Sequence, residues 1–153
     1  MLLVACAPLQ PHPVAIRVVG EGADDLVAAH ARVGVARAPE RALWIGAPEP
    51  WRAARERLGG ELSEADLAPQ DWYDEVLVVV PLPAGSLPSA VVVGTEEGVD
   101  VVTVDVAAAA AQASPGARSV SLLRVRRSGR QLAAVVRDQQ RGSEQTVGVF
   151  LPR

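Results

Sequence analysis

Hydrophobic residues recur along the chain in patterns that predict β-strands over most of its length. Residues 14–19, 32–37 and 42–46 are short runs of valine, isoleucine or leucine interrupted by small or polar residues, as in half-buried strands. Residues 75–80 are apolar after the first position and show no alternation, so we expect a central strand covered on both faces. Further strands are predicted at residues 89–93, 99–106, 120–126, 131–137 and 146–151.

Turn-forming residues separate several of these strands. Residues 38–41, 94–98 and 127–130 contain proline or glycine, and each lies between two predicted strands. Short runs of this kind are typical of hairpin loops. We therefore expect hairpins at all three places, with a five-residue loop at the second.

One clear helix is predicted at residues 50–58. Trp51, Ala54 and Leu58 fall on one face at helical spacing, while most residues of the other face are charged. Pro50 suits the first helical turn, and the glycine pair that follows is typical of a helix end. The pattern does not decide the secondary structure of residues 23–32 and 107–113, because each run is compatible with a short helix.

These elements indicate the α+β class, with a mostly antiparallel sheet of about seven or eight strands and one or two short helices. With 153 residues, a single domain is expected. We assign residues 1–13 to a signal remnant and proline-rich tether, and residues 14–153 to the domain.

Composition restricts how this domain is stabilised. Aromatic residues make up only 3% of the chain, so Trp44 and Trp51 are expected to fill the core, with a ligand groove as their alternative role. No run approaches the length of a transmembrane helix. Because Cys6 is the only cysteine, no internal disulfide can form.

The segment around Cys6 resembles the lipobox of bacterial lipoproteins. It reads Leu3, Val4, Ala5 and Cys6, and only five residues without a positive charge precede the cysteine. The resemblance implies lipid attachment to Cys6 and a place in the cell envelope, outside the cytoplasm. The alternative is a cytoplasmic protein in which Cys6 is an unmodified, small apolar residue.

Charge is unevenly distributed along the chain, whose net charge is −3. Residues 107–153 contain eight arginines and two acidic residues, which suggests either an anionic partner or neutralisation by the acidic remainder of the chain. We do not expect nucleic-acid binding, because stacking aromatic residues are not interleaved with the arginines. The candidate partner-binding residues are Arg124, Arg126, Arg127 and Arg130.

Residues for catalysis or metal binding are sparse in the sequence. The two histidines, His12 and His30, have no motif partner for nucleophilic catalysis, and no metal-ligand spacing is present. We therefore predict no catalytic residue, metal site or cofactor. The alternative is a small enzyme or ligand-binding subunit that uses the region of Trp72, Asp74 and Glu75.

Two further stretches resemble the family of the small lipoprotein subunit of a bacterial surface protease complex. They are the tryptophan-bearing helix at residues 51–58 and the segment at residues 71–80, in which acidic and aromatic residues precede a hydrophobic strand. The resemblance implies a non-catalytic subunit that binds or helps to assemble another envelope protein. We therefore expect an envelope-tethered lipoprotein with a non-enzymatic binding or assembly role. Its partner would contact an open sheet edge or the arginines.

Overall fold

The computed structural model describes residues 12–13, 16–18, 25–108 and 118–152. Cys6 and most of the predicted tether lie outside these residues, as do residues 109–113 of the alanine-rich segment. The described part contains ten strands, one α-helix and one 3₁₀ helix. In chain order, these are β1 (His12–Pro13), β2 (Ile16–Val18), β3 (Val27–Val35), β4 (Leu43–Ile45), α1 (Pro48–Leu58), the 3₁₀ helix (Gly60–Glu64), β5 (Glu75–Pro81), β6 (Ser86–Glu96), β7 (Val99–Ala108), β8 (Arg118–Arg126), β9 (Leu132–Asp138) and β10 (Ser143–Phe150).

The strands form two five-stranded sheets. Sheet A has the order β1-β3-β8-β5-β4, and all of its neighbours are antiparallel. Sheet B has the order β10-β9-β7-β6-β2, in which β2 and β6, and β7 and β9, pair in parallel. The α+β class is confirmed, and most strand pairs are antiparallel, as expected. The prediction of a single sheet is wrong, because there are two sheets and sheet B is mixed.

Only one of the three predicted hairpins is present, and its loop is shorter than the five residues expected. β6 and β7 form a hairpin, but its turn is limited to Glu97 and Gly98, which have φ angles of 51° and 80°. The hairpin predicted around residues 38–41 is wrong, since β3 pairs with β8 while β4 pairs with β5. The one around residues 127–130 is also wrong, because β8 belongs to sheet A and β9 to sheet B. Glycine and polar residues permit a turn in both cases, but they do not decide which strand pairs afterwards.

Sheet A lies between two apolar layers. Its inner face packs against sheet B in an inter-sheet core that contains Val78, Leu123 and Val104. Its outer face packs against α1 and the 3₁₀ helix in a helix-side core that contains Val79, Leu122 and the helix residues. The prediction that residues 75–80 form a central, doubly covered strand is therefore confirmed.

Helix α1 matches its prediction closely. It begins at Pro48, two residues earlier than expected, and ends at Leu58, after which Gly59 has a φ angle of 62°. Trp51, Ala54 and Leu58 are its buried residues, as the apolar spacing indicated. Residues 23–32, which the pattern left open, mostly belong to β3. In the described part of the chain, no helix is both long and apolar enough to cross a membrane.

Candidate functional site

Three of the four arginines that we predicted to contact a partner are paired with acidic residues of the same chain. The nitrogen-to-oxygen distances are 3.3 Å for Arg124 and Glu75, 3.7 Å for Arg126 and Asp25, and 3.7 Å for Arg130 and Asp100. Their charge is thus partly compensated within the domain.

Arg127, the fourth of these arginines, connects three segments of sheet A. Its guanidinium lies over the Trp44 ring, 5.0 Å from the ring centre. Its Nε donates a hydrogen bond to the carbonyl of Trp72 at 2.9 Å, and its Nη2 donates to the carbonyl of Gly46 at 3.0 Å. These contacts hold β4 and the entry to β5 in place, so the side chain has a structural role.

The region of Trp72, Asp74 and Glu75 does not converge on one cavity. Trp72 packs against the helix-side core, and Asp74 is exposed. Glu75 forms the ion pair with Arg124 across β5 and β8. The neighbouring Tyr73 is 91% exposed.

A groove of about 700 Å³ lies between β4, α1 and β10, and we call it the β4–β10 groove. Cavities of roughly this size hold small molecules or short peptide segments. The lining residues are Ala42, Leu43, Trp44, Ile45, Pro50, Ala53, Ala54, Arg57, Val149, Phe150 and Leu151.

Strand β4 forms one wall of the groove and is one of the two edge strands of sheet A. The main-chain N–H of Ala42 points away from β5 and donates a hydrogen bond of 2.9 Å to the carbonyl of Val147. Main-chain groups of an antiparallel strand alternate in direction, so the N–H and C=O of Trp44 also point away from β5. We find no main-chain partner for Trp44 among the described residues. The edge of sheet A is therefore open at this residue.

Strand β10 forms the opposite wall and approaches β4 closely at one point only. A register shift occurs beside Val147, whose carbonyl accepts the bond from Ala42. At Gly148, an added Cβ would lie 3.0 Å from the Cβ of Ala42 and 2.8 Å from the Phe150 ring, so a glycine permits this approach. Beyond this contact, the lining residues Val149 and Leu151 are 53% and 71% exposed.

Among the described residues, Arg57 is the only charged side chain that lines the groove. The other two arginines of α1 are engaged elsewhere. Arg52 pairs with Glu49, and Arg55 donates to the carbonyl of Ser63 at 2.6 Å and lies over the Trp51 ring. Arg57 forms no ion pair or hydrogen bond with the described residues and is exposed. The groove is therefore apolar with one cationic side chain.

Buried polar side chains of the described residues also lie away from the groove, and His30 and Asp105 are two of them. His30 lies opposite Leu123 on the inter-sheet face, and its Nε2 is 2.9 Å from the Oγ of Ser121. Burial lowers the pKa of His30 from 6.5 to about 4, because the charged ring would lose its hydration. On sheet B, Asp105 is 2% exposed and accepts two hydrogen bonds from Arg137, at 2.6 and 3.0 Å.

A metal centre is not evident in the part of the chain that the structure describes, where no group of three histidine, cysteine, aspartate or glutamate residues is suitably placed. The hydrophobic pattern of the sequence does not predict the groove, because its lining residues come from separate segments of the chain. Trp51 is buried, as expected of a core residue. Trp44 is half-buried and packs against the inter-sheet core, as expected, but it also lines the groove. The alternation of Val147, Val149 and Leu151 was the one available signal, since two of these side chains lack a covering layer.

Comparison with known proteins identifies neither a family nor a similar structure for this chain. No protein-family model matches the chain. Neither the curated proteins nor the solved structures contain a match to it.

Proposed function

We propose that this protein is a non-enzymatic binding module that holds an extended, mainly apolar segment of another envelope protein in the β4–β10 groove. The observation that carries the proposal is the position of the groove, which places apolar side chains beside an open strand edge. The two features together match what an added strand requires.

The main chain at Trp44 supplies the first requirement. Its outward N–H and C=O groups can pair with one residue of an incoming strand, as in other complexes formed by strand addition. Such hydrogen bonds bind any extended sequence, because they involve only the backbone. They favour a peptide partner over a compact ligand.

The side chains of the groove supply the second requirement. Val149 and Leu151 are two of the three large hydrophobic residues that are exposed in the described part of the chain, and both face the groove with Trp44. Covering such a surface stabilises a complex by roughly 25 cal/mol for each Å² of apolar area removed from water. Alternate side chains of an added strand would provide this contact.

Replacing Ala53 with glutamine is expected to weaken peptide binding at least about tenfold, which corresponds to about 1.4 kcal/mol. Ala53 is exposed and lines the groove, so the longer polar side chain fills it without disturbing a buried layer. The probe is a labelled peptide selected from a displayed library of random linear sequences, and its affinity is measured by fluorescence anisotropy. Binding should also slow hydrogen exchange at the Trp44 amide.

Glu56→Gln is the matched control, since it places the same side chain on an exposed part of α1 outside the groove. The affinity of this control should stay within about twofold of that of the unmodified protein, which is well below the tenfold change expected for Ala53→Gln. Equal affinity for the two variants, or unchanged exchange at Trp44, would exclude the groove as the binding site.

We further propose that Cys6 carries the lipid that tethers this module to the envelope. The support is the resemblance of residues 3–6 to a lipobox. Two or more acyl chains give stable attachment, whereas one gives only marginal binding. The intact mass of native protein from a detergent-phase extract should correspond to a chain that begins at Cys6 and carries acyl groups. An unmodified N-terminal segment that includes Met1 would instead favour the cytoplasmic alternative.

A further inference from the structure

We infer that the β4–β10 groove selects segments in which a short apolar run is flanked by an acidic side chain that pairs with Arg57. This inference rests on the proposed function and specifies the chemistry of the partner. It follows from the charge of the groove and from the position of Arg57 along it.

The length of the groove follows from the spacing of its lining residues on α1. Pro50, Ala53 and Ala54 line it together with Arg57, and Pro50 and Arg57 are the outermost. A helix rises about 1.5 Å for each residue, so these two positions are about 10 Å apart along the axis. An extended strand rises about 3.3 Å for each residue, so roughly three ligand residues fill this distance. Arg57 therefore marks one end of a site for about three apolar residues.

The charge of the groove is unbalanced at that end. In the described part of the chain, none of the residues that line the groove is acidic, and Arg57 has no ion-pair partner. Arg52, which precedes it in α1, already has Glu49 as a partner. A carboxylate brought by the ligand would complete the pairing of Arg57 beside apolar surface, where water screens the attraction less than at an open surface. A basic side chain at the same place would be repelled.

The acidic group that we propose is an aspartate or glutamate side chain, rather than a C-terminal carboxylate. Strand addition at Trp44 uses the backbone of a continuous segment, whereas Arg57 lies within α1, where main-chain N–H groups donate to carbonyls of the helix itself. The long, exposed side chain of Arg57 can instead reach an acidic side chain that projects from the bound strand.

The test compares two peptides with acetylated and amidated ends, which differ only by glutamate or glutamine beside the apolar run. The protein should bind the glutamate peptide about three- to tenfold more tightly, and the ratio should decrease at high salt. In Arg57→Gln the two affinities should become equal. In the matched control Arg52→Gln, the preference should persist, because Arg52 does not line the groove. Arg57→Glu should reverse the preference, in favour of a lysine peptide.

The outcomes separate this inference from the proposed function. If both peptides bind equally to the unmodified protein and Ala53→Gln weakens both, the inference is wrong and the binding function stands. If the glutamate preference persists in Arg57→Gln, another residue is responsible and the inference is also wrong. If the protein prefers only peptides with a free C-terminus, the inference is wrong, and Arg57 recognises the end of a chain and not an acidic side chain. If no selected peptide depends on Ala53, the proposed function itself fails.

Discussion

Replacing Trp51 with alanine is expected to lower the free energy of unfolding by about 4 kcal/mol. Trp51 is 5% exposed and packs in the helix-side core with Leu58 and the outer face of sheet A. Alanine would remove most of this contact and leave a cavity that the surrounding β-sheet cannot fill. The substitution would also remove the ring on which Arg55 lies.

Urea denaturation followed by circular dichroism measures this effect. Tyr73→Ala is the matched control, because it truncates an aromatic side chain that is 91% exposed. It should change stability by less than about 0.5 kcal/mol. If Trp51→Ala lowers the free energy of unfolding by less than about 1 kcal/mol, the stability of the protein does not depend on this contact. Such a result would contradict the position of Trp51 in the helix-side core.

Acidification between about pH 6.5 and pH 4 is expected to lower the free energy of unfolding by up to about 3 kcal/mol through His30 alone. The pKa of this histidine is about 4 in the folded protein and near 6.5 when unfolded. Between these values the unfolded chain binds more protons, so stability rises with pH and falls with acidification. Above about pH 6.5 both states are neutral at this position, and the contribution is constant.

His30→Gln isolates this contribution, because all other ionisable groups are the same in the two proteins. The difference in unfolding free energy between the unmodified protein and the variant should change across this window and be constant above it. Chemical denaturation at a series of pH values gives both curves. Parallel curves would show that His30 titrates normally in the folded state, in conflict with its burial and its contact with Ser121.

Contacts at both ends of β4 and beneath α1 support the β4–β10 groove. Arg127 bonds to the carbonyl of Gly46 just after β4 and stacks on Trp44, while Ala42 bonds to Val147 at the other end of β4. Helix α1 is fixed to sheet A through Trp51. A site bounded by such elements changes little on binding, so less conformational entropy is lost when a ligand is ordered.

Local sequence patterns determined the elements whose stability depends on near neighbours. The spacing of Trp51, Ala54 and Leu58 gave the helix and its buried face, and the continuous apolar run at residues 75–80 gave the central strand. The β6–β7 hairpin was also predictable, because its two strands are adjacent in sequence and pair around Glu97 and Gly98.

Only the tertiary structure decided how the strands divide between two sheets. β8 and β9 are separated by a short, hairpin-like link, yet one lies in sheet A and the other in sheet B. Their partners, such as β3 for β8 and β7 for β9, are distant in sequence, and several pairings satisfy the same alternation of apolar residues. The choice depends on packing in the inter-sheet core.

The candidate site was likewise decided only by the tertiary structure. Its lining residues come from β4, α1 and the end of β10, and no local pattern brings Trp44, Arg57 and Leu151 together. The sequence determined that Arg124 and Arg57 are both cations. Only the folded structure shows that Arg124 pairs with Glu75, whereas Arg57 lies beside an apolar groove with no acidic side chain among its described lining residues. Contacts of this kind join distant segments, so they form only when the chain folds.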